Sequence, residues 1–76
     1  MTRKESNIVL LKTLETLIEK YPDIRFGQIL FDFGFLQTDY FDKKKGSWLI
    51  KDPFYEEPEI TINRVEETIQ RLIADA

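Results

Sequence analysis

The sequence predicts a small, mainly α-helical domain of three helices, with a long aromatic loop or a short β-hairpin between helices 2 and 3. Apolar residues recur every three or four positions near both ends of the 76-residue chain, which is the spacing of amphipathic helices. Pro22 and Gly34 interrupt that pattern and divide its first half into two helices. No linker-like segment is present, so residues 1–76 are expected to form a single helical domain.

The first helix is expected over residues 3–20. Thr2 and Glu5 have the spacing of a capping box, in which each side chain bonds a free backbone N–H at the helix start. Pro22 is expected to end the helix, because the residue before a proline is disfavoured in the helical conformation. The apolar stripe predicted to face the core consists of Ile8, Leu11, Leu14, Leu17, Ile18 and Tyr21.

The second helix is expected over residues 24–34, with Asp23 as its N-cap and Gly34 as its terminator. Gly27 lies inside this segment, where glycine costs about 1 kcal/mol relative to alanine. The position therefore predicts a close backbone approach by helix 1 or by the later loop.

The segment after Gly34 loses helical spacing and is rich in aromatic residues. One interpretation is a hairpin, with residues 37–41 and 47–51 as strands and DKKKG as the turn. The alternative extends helix 2 irregularly and leaves the rest as a packed loop. An isolated two-stranded hairpin is marginal in water, so the first interpretation requires the hairpin to lie against the helices.

The third helix is expected over residues 61–74, with Thr61 or Asn63 as its N-cap. Its predicted buried stripe consists of Ile62, Val65, Ile69, Leu72 and Ile73.

Several kinds of chemistry are excluded by composition. The chain has no cysteine and no histidine, so it has no thiol or imidazole nucleophile, no disulfide and no ordinary structural zinc site. The net charge of -3 has the wrong sign for a general duplex DNA binder. The carboxylates lack the spacing of an EF-hand. We therefore expect no catalytic residue, no metal site and no cofactor.

The longest run of apolar residues, Ile8 to Leu11, is far shorter than the roughly 20 residues of a membrane-spanning helix. The sequence thus predicts a cytoplasmic protein with no membrane partner.

Two strings resemble a known pattern. YPDIRFGQILF at residues 21–31 and DPFYEEPEIT at residues 52–61 are similar to a YPDxRFGQ element followed by DxFYEE in a group of small bacterial and phage proteins without an established activity. The resemblance implies a cytoplasmic helical domain, in the host cytoplasm if phage-encoded, and it carries over no catalytic residue.

The same two strings predict a structural lock. An arginine near a helix start can form a bidentate pair with a carboxylate. Arg25 and Gln28 on helix 2 are therefore expected to lie against Asp52 and Glu56 if the chain returns across the helices.

The segment between helices 2 and 3 holds the candidate interface. Its aromatic members are Tyr40, Phe41 and Trp48, and its basic members are Lys43, Lys44 and Lys45. Large aromatic residues are favoured anchors of protein interfaces, so we expect a non-enzymatic interaction module with an unidentified protein partner. The alternatives are a weak binder of single-stranded nucleic acid through the lysine turn and Trp48, and a purely structural homo-oligomer.

Overall fold

The fold is described from a computed structural model, which describes residues 1–50 and 56–74; the side chains of residues 38–41 and 48–50 are outside this description. The chain forms α1 (Arg3–Lys20), α2 (Phe26–Asp32), β1 (Thr38–Asp42), β2 (Ser47–Ile50) and α3 (Pro58–Ala74). The prediction of a mainly helical protein with three helices is confirmed.

Helix α1 begins and ends where the sequence predicts. The Thr2 Oγ1 accepts a hydrogen bond from the Glu5 N–H, and the Glu5 carboxylate accepts one from the Thr2 N–H, both at 3.1 Å. This is the predicted capping box. At the other end the Tyr21 N–H still donates to the Leu17 carbonyl, and the chain then turns at Pro22.

Helix α2 is shorter than predicted. The Ile24 N–H donates to the Tyr21 carbonyl at 3.2 Å, which closes a turn with Pro22 and Asp23 as its two central residues. Asp23 is therefore used by the turn, and the N-cap is Arg25, which makes no side-chain capping bond. The prediction of Asp23 as the N-cap was wrong.

The end of α2 does require glycine. Gly34 has a φ of +85°, and a Cβ at this position would lie 2.8 Å from the Thr68 Oγ1 and 3.3 Å from the Arg64 carbonyl oxygen. Close packing therefore occurs at Gly34. At Gly27 a Cβ would meet no atom of the described residues within 4 Å, so helix 1 does not approach Gly27 as predicted.

Helix α3 begins three residues earlier than predicted. Pro58 is its first residue, a position at which a missing N–H costs nothing because no helical partner exists there. Thr61 and Asn63 consequently lie inside the helix, and neither is the N-cap.

Helices α1 and α3 pack side by side and run in the same direction. Arg3 pairs with Glu57 at their amino-terminal ends, while Leu17 and Ile69 line one cavity near their carboxyl-terminal ends. The segment between residues 21 and 57 is long enough to return the chain to the starting end of α1.

The core draws on all three helices. Its buried apolar residues are Leu17, Ile29, Phe33, Ile62 and Val65. Five half-buried apolar residues pack against the cluster of the first three: Leu14, Tyr21, Ile24, Phe35 and Ile69. The rings of Tyr21 and Phe33 lie 5.4 Å apart, centre to centre.

The predicted stripe of α1 divides into two faces. Leu14, Leu17 and Tyr21 face the core together with Ser6, which is fully buried. The other three predicted core residues, Ile8, Leu11 and Ile18, are exposed, so this part of the prediction was wrong. Of the stripe predicted for α3, Leu72 and Ile73 are also exposed.

Candidate binding surfaces

Strands β1 and β2 pair in antiparallel orientation, with Thr38 opposite Ile50, Phe41 opposite Trp48 and Asp42 opposite Ser47. A register shift lies between Thr38 and Phe41. Among the elements that the structure describes, these strands contact each other, and neither has a Cα atom within 8 Å of a helix Cα.

The turn between the strands exposes the three predicted lysines. The Asp42 Oδ1 accepts hydrogen bonds from the backbone N–H groups of Lys44 and Lys45, at 2.9 and 3.3 Å. Gly46, with a φ of +66°, donates its N–H to the Asp42 carbonyl at 2.8 Å. Aspartate and glycine thus shape the turn, and Lys43, Lys44 and Lys45 remain exposed to solvent.

The aromatic members of the candidate interface lie on the paired strands. Tyr40 and Phe41 belong to β1 and Trp48 belongs to β2. Their side chains are outside the described part of the chain, so their role in binding stays a prediction.

The structure places the residues of the predicted lock differently. Arg25 is exposed at the start of α2, and the ion pairs that described residues form do not include it. The Gln28 side chain donates to Asp32, one turn along the same helix, at 2.7 Å. Glu56 pairs with Arg64, and Asp52 lies outside the described residues.

Arg64 forms a lock that the sequence pattern did not predict. Its Nη1 and Nη2 donate to the two carboxylate oxygens of Glu56 at 3.0 and 2.7 Å, a bidentate pair. Its Nε donates to the Gly34 carbonyl at 2.7 Å, and its Nη2 contacts the Phe35 carbonyl at 3.4 Å. One guanidinium therefore ties the end of α2 to the start of α3.

The position of Arg64 follows from the periodicity of α3. Thr61, Arg64 and Thr68 are spaced three and four residues apart and form a polar row. Beside it lies the core-facing row of Ile62, Val65 and the half-buried Ile69. Thr61 donates its hydroxyl to Glu56, and Thr68 donates to the Arg64 carbonyl. In the sequence, this row of polar residues at helical spacing is the pattern that could have indicated the position of Arg64 beside the core.

A shallow cavity of about 310 Å³ lies beside this lock, between the end of α2 and α3. Three of its polar groups are already bonded: Arg64 to Glu56, Asp32 to Gln28, and the Thr68 hydroxyl to a backbone carbonyl. This arrangement supports a structural role for the cluster.

A second cavity, of about 180 Å³, lies between the carboxyl-terminal ends of α1 and α3. Its lining is mainly apolar and consists of Leu17, Lys20, Tyr21, Phe33, Ile69, Leu72 and Ile73. It continues the core outward toward the exposed end of α3.

The outer face of α1 carries a row of exposed residues, which we call the α1 outer row: Lys4, Ile8, Leu11, Glu15 and Ile18. Their spacing of four, three, four and three residues places them on one side of the helix. Ile8, Leu11 and Ile18 are 41%, 65% and 40% exposed. Three large apolar side chains therefore share a helix face directed away from the core.

Two carboxyl groups at the shared end of α1 and α3 have lowered pKa values. The Arg3 guanidinium donates two hydrogen bonds to Glu57 and holds the pKa of that carboxyl below its ordinary value. The Thr2 N–H, which bonds the Glu5 carboxylate in the capping box, does the same for the pKa of Glu5. Both groups are exposed to solvent.

Within residues 1–50 and 56–74, no group of three acidic side chains is placed to hold a metal ion. None of the helices in the described part of the chain is long and apolar enough to span a membrane. Comparisons with protein-family models, with curated proteins and with solved structures find no match to this chain.

Proposed function

We propose that the protein is a non-enzymatic interaction module that binds a protein partner through an aromatic surface on β1 and β2. Tyr40, Phe41 and Trp48 would form the contact, with Lys43, Lys44 and Lys45 at its edge. The resemblance of residues 21–31 and 52–61 to small bacterial and phage proteins favours an accessory protein of that origin.

The placement of the two strands carries this proposal. Paired strands alone are marginal in water and normally gain stability by packing on a larger apolar surface. Here the Cα atoms of the strands lie beyond 8 Å from those of the three described helices. A partner that packs on the aromatic residues would supply such a surface, and aromatic side chains bury a large area in such contacts.

The helices support the proposal in a second way. Leu17, Ile29 and Phe33 form a buried cluster within α1, α2 and the residue that ends α2. Ile62 and Val65 of α3 are buried as well. The helical part thus has a core of its own, which leaves the strands available for a partner.

The lysine turn favours a different partner chemistry. Lys43, Lys44 and Lys45 are exposed next to a tryptophan, which is the combination that single-stranded nucleic acid binds. Binding through phosphate contacts weakens steeply with salt, whereas an aromatic protein contact does not. Salt dependence therefore separates the two functions.

The test uses the parent protein, the Trp48→Ala variant and a control, Phe26→Ala. Phe26 is 56% exposed on α2, so its variant removes an exposed aromatic ring away from the strands. Each protein is immobilised and exposed to nuclease-treated bacterial extract at low and high salt. We expect a protein retained by the parent and by Phe26→Ala, at both salt concentrations, and lost with Trp48→Ala.

The contrary results are distinct. Equal retention by all three proteins would contradict an anchoring role for Trp48. Tight binding of a single-stranded oligonucleotide at physiological salt, abolished when Lys43, Lys44 and Lys45 are changed together to serine, would establish the nucleic-acid function instead.

A further inference from the structure

The α1 outer row has a charge pattern that is complementary to itself when reversed. Its apolar centre, Ile8 and Leu11, is flanked by Lys4 toward the amino-terminal end and by Glu15 toward the carboxyl-terminal end. Neither Lys4 nor Glu15 belongs to an ion pair among the described residues. Both charges are exposed and available for a contact.

We propose that the outer row of α1 binds the same row of a second copy of this chain, with the two helices antiparallel. A two-fold axis between Val9 and Leu10 places Ile8 opposite Leu11 of the second copy. The same axis places Lys4 opposite Glu15 of the second copy, and the symmetry repeats each contact.

Ile18, the last member of the row, comes beyond the start of the second copy's α1, which begins at Arg3, so it lies outside the paired layers. Between Lys4 and Glu15, each apolar member of the row thus faces an apolar residue, and each charged member faces the opposite charge. The alternation of four and three residues is the spacing at which two helices keep such a seam in contact.

A parallel pairing lacks this complementarity. It would place Lys4 against Lys4 and Glu15 against Glu15 of the second copy, and like charges in such positions are destabilising. An unrelated helical partner would need to supply both charges in the reversed order, whereas a second copy already contains them. The charge order therefore selects an antiparallel homodimer.

This inference goes beyond the proposed function because it concerns a different surface. The outer row lies on α1, while the proposed aromatic contact lies on β1 and β2. Each can fail without the other: a dimer unaffected by Trp48→Ala and a partner retained by an outer-row variant are independent observations.

Sedimentation of the full chain from about 5 to about 500 µM tests the self-association, because a homodimer depends on protein concentration. We expect Leu11→Lys to weaken the dimer at least about 100-fold, because it places two like charges at the apolar centre. The control is Ile73→Lys, since Ile73 is also 65% exposed but lies on α3. It is expected to leave the dimer unchanged.

Charge reversal tests the orientation. Lys4→Glu and Glu15→Lys are each expected to weaken the dimer by about tenfold, because two attractive pairs become repulsive. The double variant is expected to restore it. Within one helix these two positions are about 16 Å apart, so the restoration cannot arise inside a single chain.

Cysteine cross-linking gives a second, independent test, because the chain contains no cysteine of its own. The variant carrying both Lys4→Cys and Glu15→Cys is expected to form a disulfide-linked dimer. Each single variant is expected to form none, because its two thiols would be separated by far more than the roughly 7 Å limit between Cα atoms.

Three results would overturn the proposal. The first is a parent protein that stays monomeric over the whole concentration range. The second is cross-linking by a single cysteine variant, which would indicate parallel helices. The third is a dimer that Leu11→Lys leaves intact and Trp48→Ala abolishes, which would place the self-contact on the strands. Circular dichroism of each variant verifies that its helices are formed.

Discussion

Replacing Arg64 with alanine is expected to lower the free energy of unfolding by about 2 to 4 kcal/mol. The guanidinium makes three contacts of 3.0 Å or shorter, two to Glu56 and one to the Gly34 carbonyl. The side chains of Arg64 and Glu56 are only 22% and 17% exposed, so water replaces these bonds incompletely. The alanine variant removes two charge-assisted hydrogen bonds from a mostly buried carboxylate.

The magnitude follows from the kinds of bond that are lost. A hydrogen bond to a charged group contributes about 1.5 to 3 kcal/mol, and breaking a fully buried ion pair costs about 3 to 5 kcal/mol. The remaining exposure of both partners lowers the expected value below the second range. Thr61 still donates to Glu56 in the variant, which lowers it further.

Urea denaturation followed by circular dichroism measures the effect. Arg64→Lys keeps the charge and loses the planar fork, so it is expected to recover only part of the stability, with a loss of about 1 to 2 kcal/mol. Arg71→Ala, an exposed arginine on the same helix, is the control and is expected to change stability by less than about 0.5 kcal/mol. An Arg64→Ala variant as stable as the control would refute the reasoning.

Two further predictions concern the stability of two glycine variants and the dependence of stability on pH below about 5. Gly34→Ala is expected to lower the free energy of unfolding by at least about 1 kcal/mol more than Gly46→Ala, measured by thermal or urea unfolding. Both glycines have a positive φ, but only at Gly34 would a Cβ lie against Thr68. Equal losses of stability in the two variants would contradict the close contact at Gly34. The Arg3 pairing lowers the pKa of Glu57 in the folded protein. The ion pair therefore stabilises the fold above the pKa that Glu57 has in the unfolded chain, and this stabilisation is lost as pH falls through the pKa of Glu57 in the folded protein. Stability of Glu57→Gln is therefore expected to fall less steeply than that of the parent between about pH 5 and pH 3, and parallel curves would show that this pair contributes nothing.

The limits of α1 could be predicted from sequence because local chemistry sets both of them. The Thr2 and Glu5 capping box and Pro22 each act within a few residues of the helix end that they set. The starts of α2 and α3 were predicted less accurately. Pro22 and Asp23 form a turn before α2, so Asp23 does not cap that helix. Helix α3 begins at Pro58, three residues before Thr61, which was expected to be its N-cap.

The buried face of α1 could not be predicted, because apolar residues occur on two of its sides. Periodicity grouped Ile8 and Leu11 with Leu17, although only Leu17 is buried, and nothing in the pattern indicated that Ser6 is buried completely. Which face is covered depends on where α3 packs, and that depends on contacts distant in sequence.

The sequence predicts a lock between Arg25 and Gln28 on helix 2 and the acidic residues Asp52 and Glu56. The structure shows a bidentate pair between Glu56 and an arginine whose guanidinium also bonds the end of α2. The arginine is Arg64, which reaches back across the start of its own helix, rather than Arg25. Sequence spacing alone does not distinguish a contact within α3 from one between α2 and α3.

The central claim is that the helices hold the core and that the aromatic residues of β1 and β2 serve binding. The free energy of unfolding of Trp48→Ala tests it most directly, with Leu17→Ala as the core reference. We expect a loss below about 1 kcal/mol for Trp48→Ala and about 2 to 5 kcal/mol for Leu17→Ala. A loss of about 3 to 5 kcal/mol for Trp48→Ala would place this residue in the core and contradict the claim.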